Sequence, residues 1–324
     1  MKLKKSLQSK LCLLFASLLL FSCSDNQEEI STSESLSQPK KETTILHFKT
    51  FEEFNKKIDE LSNLEDGELD RWVYENNPNS LYFIASENES LNSLPNSYKA
   101  ILNSNSEFIL GNKVVWYHLG KLYEFKENDN INKLKQHPEN LNAVGEINVT
   151  IQKLSNNNAQ ARTNIGQGQV EARHQLEFRG TQFKDCSNNY RTINGIYKYV
   201  HELMTVQSTY HLSGAYSRLY LRVKLEWYAG RRKWRSASEP RDININLNLT
   251  GTQLKFANGA IINATGSDNV NVNYTCSGDK TILLKTSDGY GREGGDPFWS
   301  VQTSGTIDHQ LHGGYHSWLN YAVW

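Results

Sequence analysis

Three clusters in this sequence combine residue types and spacings that can do chemistry. His309, His312 and His316 form an H-x-x-H-x-x-x-H run with Asp308 alongside. Three imidazoles are a donor set for an open zinc centre. Gly313-Gly314 opposes the helix that would align them, and on a strand His312 and His316 share a face that His309 does not. The plainer reading is a histidine-bearing turn before the last strand. The stretch Asp288-Gly289-Tyr290-Gly291-Arg292-Glu293-Gly294-Gly295-Asp296 offers oxygen ligands on a Gly-rich loop, which suits Ca²⁺ but lacks the EF-hand spacing. Asp288, Glu293 and Asp296 are also candidate paired carboxylates for glycoside hydrolysis. The loop reads equally as a solvated connection.

The third cluster is Arg231-Arg232-Lys233-Trp234-Arg235, placed at a tip between two strands and preceded by Tyr216, Arg218, Tyr220 and Arg222 on one strand face. Guanidinium planes beside an indole can dock an acidic polysaccharide, a lipid head group or a phosphate. Tyrosines on a wet sheet face can carry sugar rings, and they are also ordinary cross-strand pairs. No Gly-rich phosphate loop, nucleophile elbow or HExxH is present, so no motif points to catalysis. The expectation is no cofactor, with Ca²⁺ or Zn²⁺ as lesser alternatives.

The elements that must position these side chains divide the chain in two. Thr50-Phe51-Glu52-Glu53 reads as a capping box, followed by Phe51, Phe54, Ile58 and Leu61 at helical spacing. A short helix is expected over 68–74 and a buried strand over 81–85. A hairpin is expected around Gly111-Asn112, then a strand over 121–125. This predicts a small α+β domain over 44–153, with an Asn/Gln/Gly-rich linker over 154–168. From 169 to 324 the pattern changes to period two: Leu219, Leu221, Val223, Leu225 and Trp227 alternate with charged or polar residues, as do Ile243 to Leu249 and Val270 to Cys276. The fold class expected is therefore α+β, with an all-β antiparallel sandwich or small barrel in the C-terminal half. Charged wet faces exclude a lipid-facing barrel wall.

The 324 residues carry no formal net charge, which argues against nucleic acid as a partner. The first 22 residues join Lys2, Lys4, Lys5 and Lys10 to the apolar run Leu11–Phe21, the pattern of an export signal too short to span a bilayer. The run ends in Leu20-Phe21-Ser22-Cys23, which resembles a lipobox, although Phe21 is bulkier than usual. The resemblance implies cleavage before Cys23, a lipid on its sulfur and a membrane partner through that anchor. Residues 23–43 are polar and acidic and read as a tether. Ser24-Asp25 and the acids after it resemble the surface-export signal of Bacteroidota lipoproteins, which implies the outer membrane and its outer face. With Cys12 removed and Cys23 acylated, Cys186 and Cys276 remain, an even pair in an oxidising compartment. A bridge is expected there, two buried thiols being the alternative.

The layout as a whole resembles uncharacterised Bacteroidota surface lipoproteins: lipobox, acidic tether, Phe-Glu-Glu-Phe helical start and a β-rich second half. The resemblance implies an accessory envelope role and no particular reaction. Three functional expectations follow. The leading one is a non-enzymatic, lipid-anchored protein that binds a glycan or an envelope protein through its β region. The rivals are a hydrolase using the 288–316 loops and a purely structural envelope protein.

Overall fold

The computed structural model describes residues 45–84, 91, 93–126, 129–154, 170–211, 213–230, 233–287, 289–290 and 297–324. Thr50 caps the first helix, α1 (Phe51–Ser62), by accepting from the Glu53 N–H at 3.2 Å. The Glu53 carboxylate reaches back one residue further than a capping box would, to the Lys49 N–H at 2.6 Å. The Thr50 hydroxyl thereby satisfies one helix-start donor that has no partner within the helix. The expected apolar stripe of Phe51, Phe54, Ile58 and Leu61 is buried. Helix α2 spans Asp66–Asn76 and α3 spans Asn96–Ile101. The strand expected over 81–85 is a 3₁₀ turn, Leu81–Phe83. Leu81 is buried but Phe83 and Ile84 are exposed, so the apolar run reflects one anchor residue in place of a continuous buried strand; Ala85 lies outside the described residues.

The chain is mostly β after this small helical part. Strands β1 (His47–Phe48), β2 (Glu107–Leu110), β3 (Lys113–His118), β4 (Lys121–Phe125) and β5 (Gly145–Ile151) come first. The β2–β3 hairpin turns at Gly111, whose φ of 62° is left-handed and so suits glycine. Then come β6 (Arg173–Arg179) and two long strands, β7 (Ile196–Tyr210) and β8 (Ser213–Tyr228), followed by β9 (Trp234–Ser236). Strands β10 (Arg241–Asn248), β11 (Asn269–Ser277), β12 (Lys280–Ser287), β13 (Ser304–Leu311) and β14 (Ser317–Tyr321) complete the main elements.

An 11-stranded sheet follows the order β1-β2-β3-β4-β5-β7-β8-β12, then 264–265, with β6 also on β7 and β9 also on β8. Only its β1–β2 pair is parallel. Strands from before and after the 154–168 segment expected as a linker thus share one sheet, and residues 42–324 group as one compact unit. A second sheet has the order β11-β10-β13-β14. No sheet closes into a barrel among the described residues.

Strands β7 and β8 are long enough to take different neighbours at each end. The C-terminal half of β7 pairs with β5 and its N-terminal half with β6. The two faces of this pair are also covered differently. Met204, Val206, Tyr210 and Tyr220 join the helices in one core. Leu203, Leu219, Leu221 and Val223 point the other way and pack on Ile243, Ile245, Leu247 and Ile307 of the second sheet. The period-two pattern of β8 and β10 is the sequence cause of this second core.

Cys186 and Cys276 are bonded, with Cα atoms 5.6 Å apart, inside the range a disulfide can span. The bridge ties the loop after 182–184 to the end of β11 across a separation of 90 residues.

Candidate functional site

Strand β8 presents Tyr216, Arg218, Tyr220, Arg222, Lys224 and Glu226 on one side, and only part of that side is open. Arg218 and Tyr220 are fully buried. Arg218 Nε donates to Asp59 at 2.6 Å, and its remaining nitrogens reach the Asn55 side chain at 3.0 Å, the Asn55 carbonyl at 2.9 Å and the Tyr98 hydroxyl at 3.0 Å. Tyr216 packs edge-on against Phe51 at 5.8 Å between ring centres. The expectation of a wet Tyr216–Tyr220 platform is therefore corrected. Helix α1 lies on this half, and a buried guanidinium persists there because each of its three nitrogens has an acceptor.

Beyond Tyr220 the same side carries charges. Glu202, directly across from Arg222 in register, is fully buried and takes hydrogen bonds from Arg222. Arg173 from β6 lies 3.2 Å from Glu202, and Lys224 lies 3.3 Å from it. Glu226 gathers Lys224 at 2.7 Å, Lys198 at 3.0 Å and Arg173 at 3.6 Å. Burial by itself raises the Glu226 carboxyl, but hydrogen bonds and charge from Lys224 and Lys198 outweigh it and hold the group below its usual range. The Lys198 ammonium also sits 4.1 Å from the centre of the Trp234 ring, and Tyr228 meets Trp234 edge-on at 5.4 Å. Strand β9 brings Trp234 and Arg235 there by pairing with Tyr228 and Trp227.

Four cations (Arg173, Lys198, Arg222, Lys224) thus surround two carboxylates (Glu202, Glu226). Crowding of positive charge extends to the helix edge. Burial, with the Arg222 charge added, holds the Lys99 ammonium of α3 below its usual value, with Asp279 opposing. A positive surplus bordered by an indole is suited to an anionic ligand with apolar ring faces. Of the residues singled out from sequence, Arg222, Trp234 and Arg235 lie at this end of the sheet, whereas Arg231 and Arg232 lie outside the described residues. Arg173, Lys198, Glu202, Lys224 and Glu226 are the additions. Lys224 and Glu226 already stood on the alternating polar side of β8. Arg173 and Lys198 arrive by strand pairing, which no local pattern discloses.

The histidine run does not converge. His309 points inward from β13 and is fully buried, with its Nδ1 3.1 Å from His201 Nε2. His312 pairs with Asp242 at 2.7 Å. His316, beyond the turn at Gly313 (φ 58°), stacks on Phe178 at 4.9 Å. Each imidazole has a separate structural partner, and no group of three or more metal-ligand side chains occurs among the described residues. Asp288, Glu293 and Asp296 lie outside the described residues, as does Cys23. The inward set continues as a chain: Asn320 Nδ2 donates to His201 Nδ1 at 3.0 Å, and His174 Nδ1 lies 3.1 Å from Asn320 Oδ1. Burial, with the nearby charge of His174, pushes the His201 imidazole down to about 3. Burial also lowers His309, and His201 and Arg241 add to the effect. These are neutral core histidines.

No helix of the described residues is long and apolar enough to cross a membrane. No family model matches the chain, and no curated protein matches it. Among solved structures, a DUF4848 family protein from Bacteroides thetaiotaomicron is similar over 85% of this chain and 94% of its own length, at 11% sequence identity and a TM-score of 0.18.

Proposed function

We propose that this chain is a lipid-anchored outer-membrane protein displayed at the cell surface, and that it binds an acidic glycan or an anionic envelope protein without catalysing a reaction. The supporting observation is the connected set of four cations around Glu202 and Glu226 with Trp234 at its rim. In this reading residues 169–324 act as a sandwich-like support: one sheet face is sealed by the second sheet, and the outer half of the other carries the ligand. Counter-ions released from such a surface make binding salt-dependent. The membrane anchor rests on the Leu20–Cys23 motif and the acidic tether.

Two experiments test the two parts. Labelled palmitate is expected to enter the chain, and a Cys23→Ala version is expected to be released from membranes. Retention of that version on membranes at full size would remove the anchor. On an array of acidic and neutral polysaccharides, the purified protein is expected to bind acidic members, and Arg222→Gln combined with Trp234→Ala is expected to weaken binding at least about tenfold, equivalent to about 1.4 kcal/mol. Equal binding by that variant would remove the site.

A further inference from the structure

Strand β14 is an edge of the second sheet: β13 pairs with one side of it and, among the described residues, no strand pairs with the other. The register fixes which groups face the open side. The Ala322 N–H donates to the Gly305 carbonyl at 3.1 Å, so in an antiparallel ladder Asn320 and Trp318 also bond toward β13. Ser317, Leu319 and Tyr321 then turn their N–H and C=O groups toward the open edge. The same odd-numbered residues point their side chains away from the core, whereas Asn320, Ala322 and Trp324 are buried. Unpaired main chain and outward side chains therefore belong to one set of residues.

Open edges are ordinarily guarded by charge, proline or a bulge. The opposite edge of this sheet, β11, exposes the amides of Asn269, Asn271 and Asn273, and β6 in the other sheet exposes Glu177 and Arg179. From 309 to 324 there is no Asp, Glu, Lys, Arg or Pro. That edge is apolar instead: Tyr315 is 85% exposed, Tyr321 69%, Val323 64% and Leu319 50%. Taking about 200 Å² for a whole aromatic side chain, these four leave on the order of 500 Å² of side-chain surface in water.

We infer that β14 pairs antiparallel with β14 of a second copy of this chain, joining the two second sheets edge to edge. A two-fold axis at Leu319 sets Leu319 opposite itself, Ser317 opposite Tyr321, and Tyr315 opposite Val323. Every exposed apolar side chain of the edge then gains a neighbour from the other copy. The outward N–H and C=O groups of Ser317, Leu319 and Tyr321 find their partners in the same groups of that copy, so the surface complements itself. A two-fold axis also brings each charge near its own image, and like charges directly opposed destabilise a ladder; this edge has none to oppose. Its side-chain area falls short of the roughly 800 Å² per partner of a standard interface, so main-chain bonds supply part of the attraction and the dimer forms with rising concentration. The pairing requires neither the lipid anchor nor the anionic ligand proposed above.

The test uses residues 24–324, which keep the whole compact unit and take no lipid. Sedimentation equilibrium is read from micromolar to near-millimolar concentration. The expected result is a mass that rises from one copy to two and stops there, because a two-fold interface closes on itself. Leu319→Lys, at an exposed position, is expected to weaken association at least about tenfold by opposing two ammonium groups, with an unchanged urea midpoint. Cysteine pairing reads the register. Under mild oxidation Leu319→Cys is expected to cross-link two copies, since directly opposed residues of a hydrogen-bonded pair lie about 5.5 Å apart, within disulfide reach. Asn271→Cys, exposed on β11, is expected to stay uncrosslinked. A single-copy mass at every concentration would overturn the inference and leave the edge to a strand of another protein. Association unchanged by Leu319→Lys, or growth beyond two copies, would overturn it as well.

Discussion

Arg218 and Arg222 stand four residues apart on one strand and one side of it, and they do opposite things. Arg218 is a fully buried clamp from sheet to helix, with Asp59, Asn55 and Tyr98 as its acceptors. Arg222 is part of a mostly buried charge surplus on the other half of the strand, paired with Glu202 and next to Lys224. The difference lies in what covers each half, not in the strand itself. Strand alternation assigns a side chain to a face; it does not say whether a helix from far away in sequence will lie on that face.

The comparison is broken most strongly at its buried end. Arg218→Ala leaves Asp59 and the Asn55 side chain without their cation, and is expected to lower unfolding free energy by about 3–5 kcal/mol, the range for breaking a buried pair. Denaturant unfolding measures it. A loss below about 1 kcal/mol would mean the clamp is dispensable, in the range of exposed ion pairs.

Acid attacks the opposite side of the same strands. His201 and His309 are held neutral between the sheets, next to His174, Arg241 and the ring of Tyr199. Their folded values lie below the ordinary 6.5, so the unfolded chain binds protons more readily. The associated stability is complete above pH 6.5 and is lost as pH falls toward about 3, the folded value of His201, with a limiting slope of about 1.4 kcal/mol per pH unit for each imidazole. Urea unfolding between pH 7.5 and pH 4 is the measurement, and His309→Leu is expected to flatten the curve. A pH-independent midpoint would contradict the neutral assignment.

The charged half is expected to tolerate change better. Arg222→Gln with Lys224→Gln should cost less than the Arg218 change, roughly 1–2 kcal/mol, because the buried Glu202 keeps Arg173 and Glu226 keeps Lys198, so neither carboxylate is left without a cation. Trp234→Ala should cost still less in stability while weakening ligand binding. A cooperative collapse in either case would make this surface a structural network.

Much of this architecture is written locally. The Thr50 cap, the Phe51–Leu61 stripe, the Gly111 hairpin and the alternation of β8, β10 and β11 all fall where short-range chemistry puts them. The cover over Arg218 was only faintly visible. Asn55 and Asp59 interrupt the buried face of α1 at a four-residue interval, a hint that the face meets something polar. Distance in sequence explains the rest of the shortfall. Arg173 joins Glu202 through β6–β7 pairing, Lys198 joins Glu226 through β7–β8 pairing, and His309 turns inward to His201 over 108 positions. Spacing within one segment made the histidine run look like a ligand set, but the turn at Gly313 and separate partners disperse it.

The central claim is that one strand divides its labour between support and recognition. Arg218→Met and Arg222→Met, each measured for unfolding free energy and for retention on an acidic polysaccharide, test it most directly. The account predicts that Arg218→Met loses stability and keeps retention, while Arg222→Met keeps stability and loses retention. If both variants moved the two readouts together, or if Arg222→Met changed neither, the division would be contradicted.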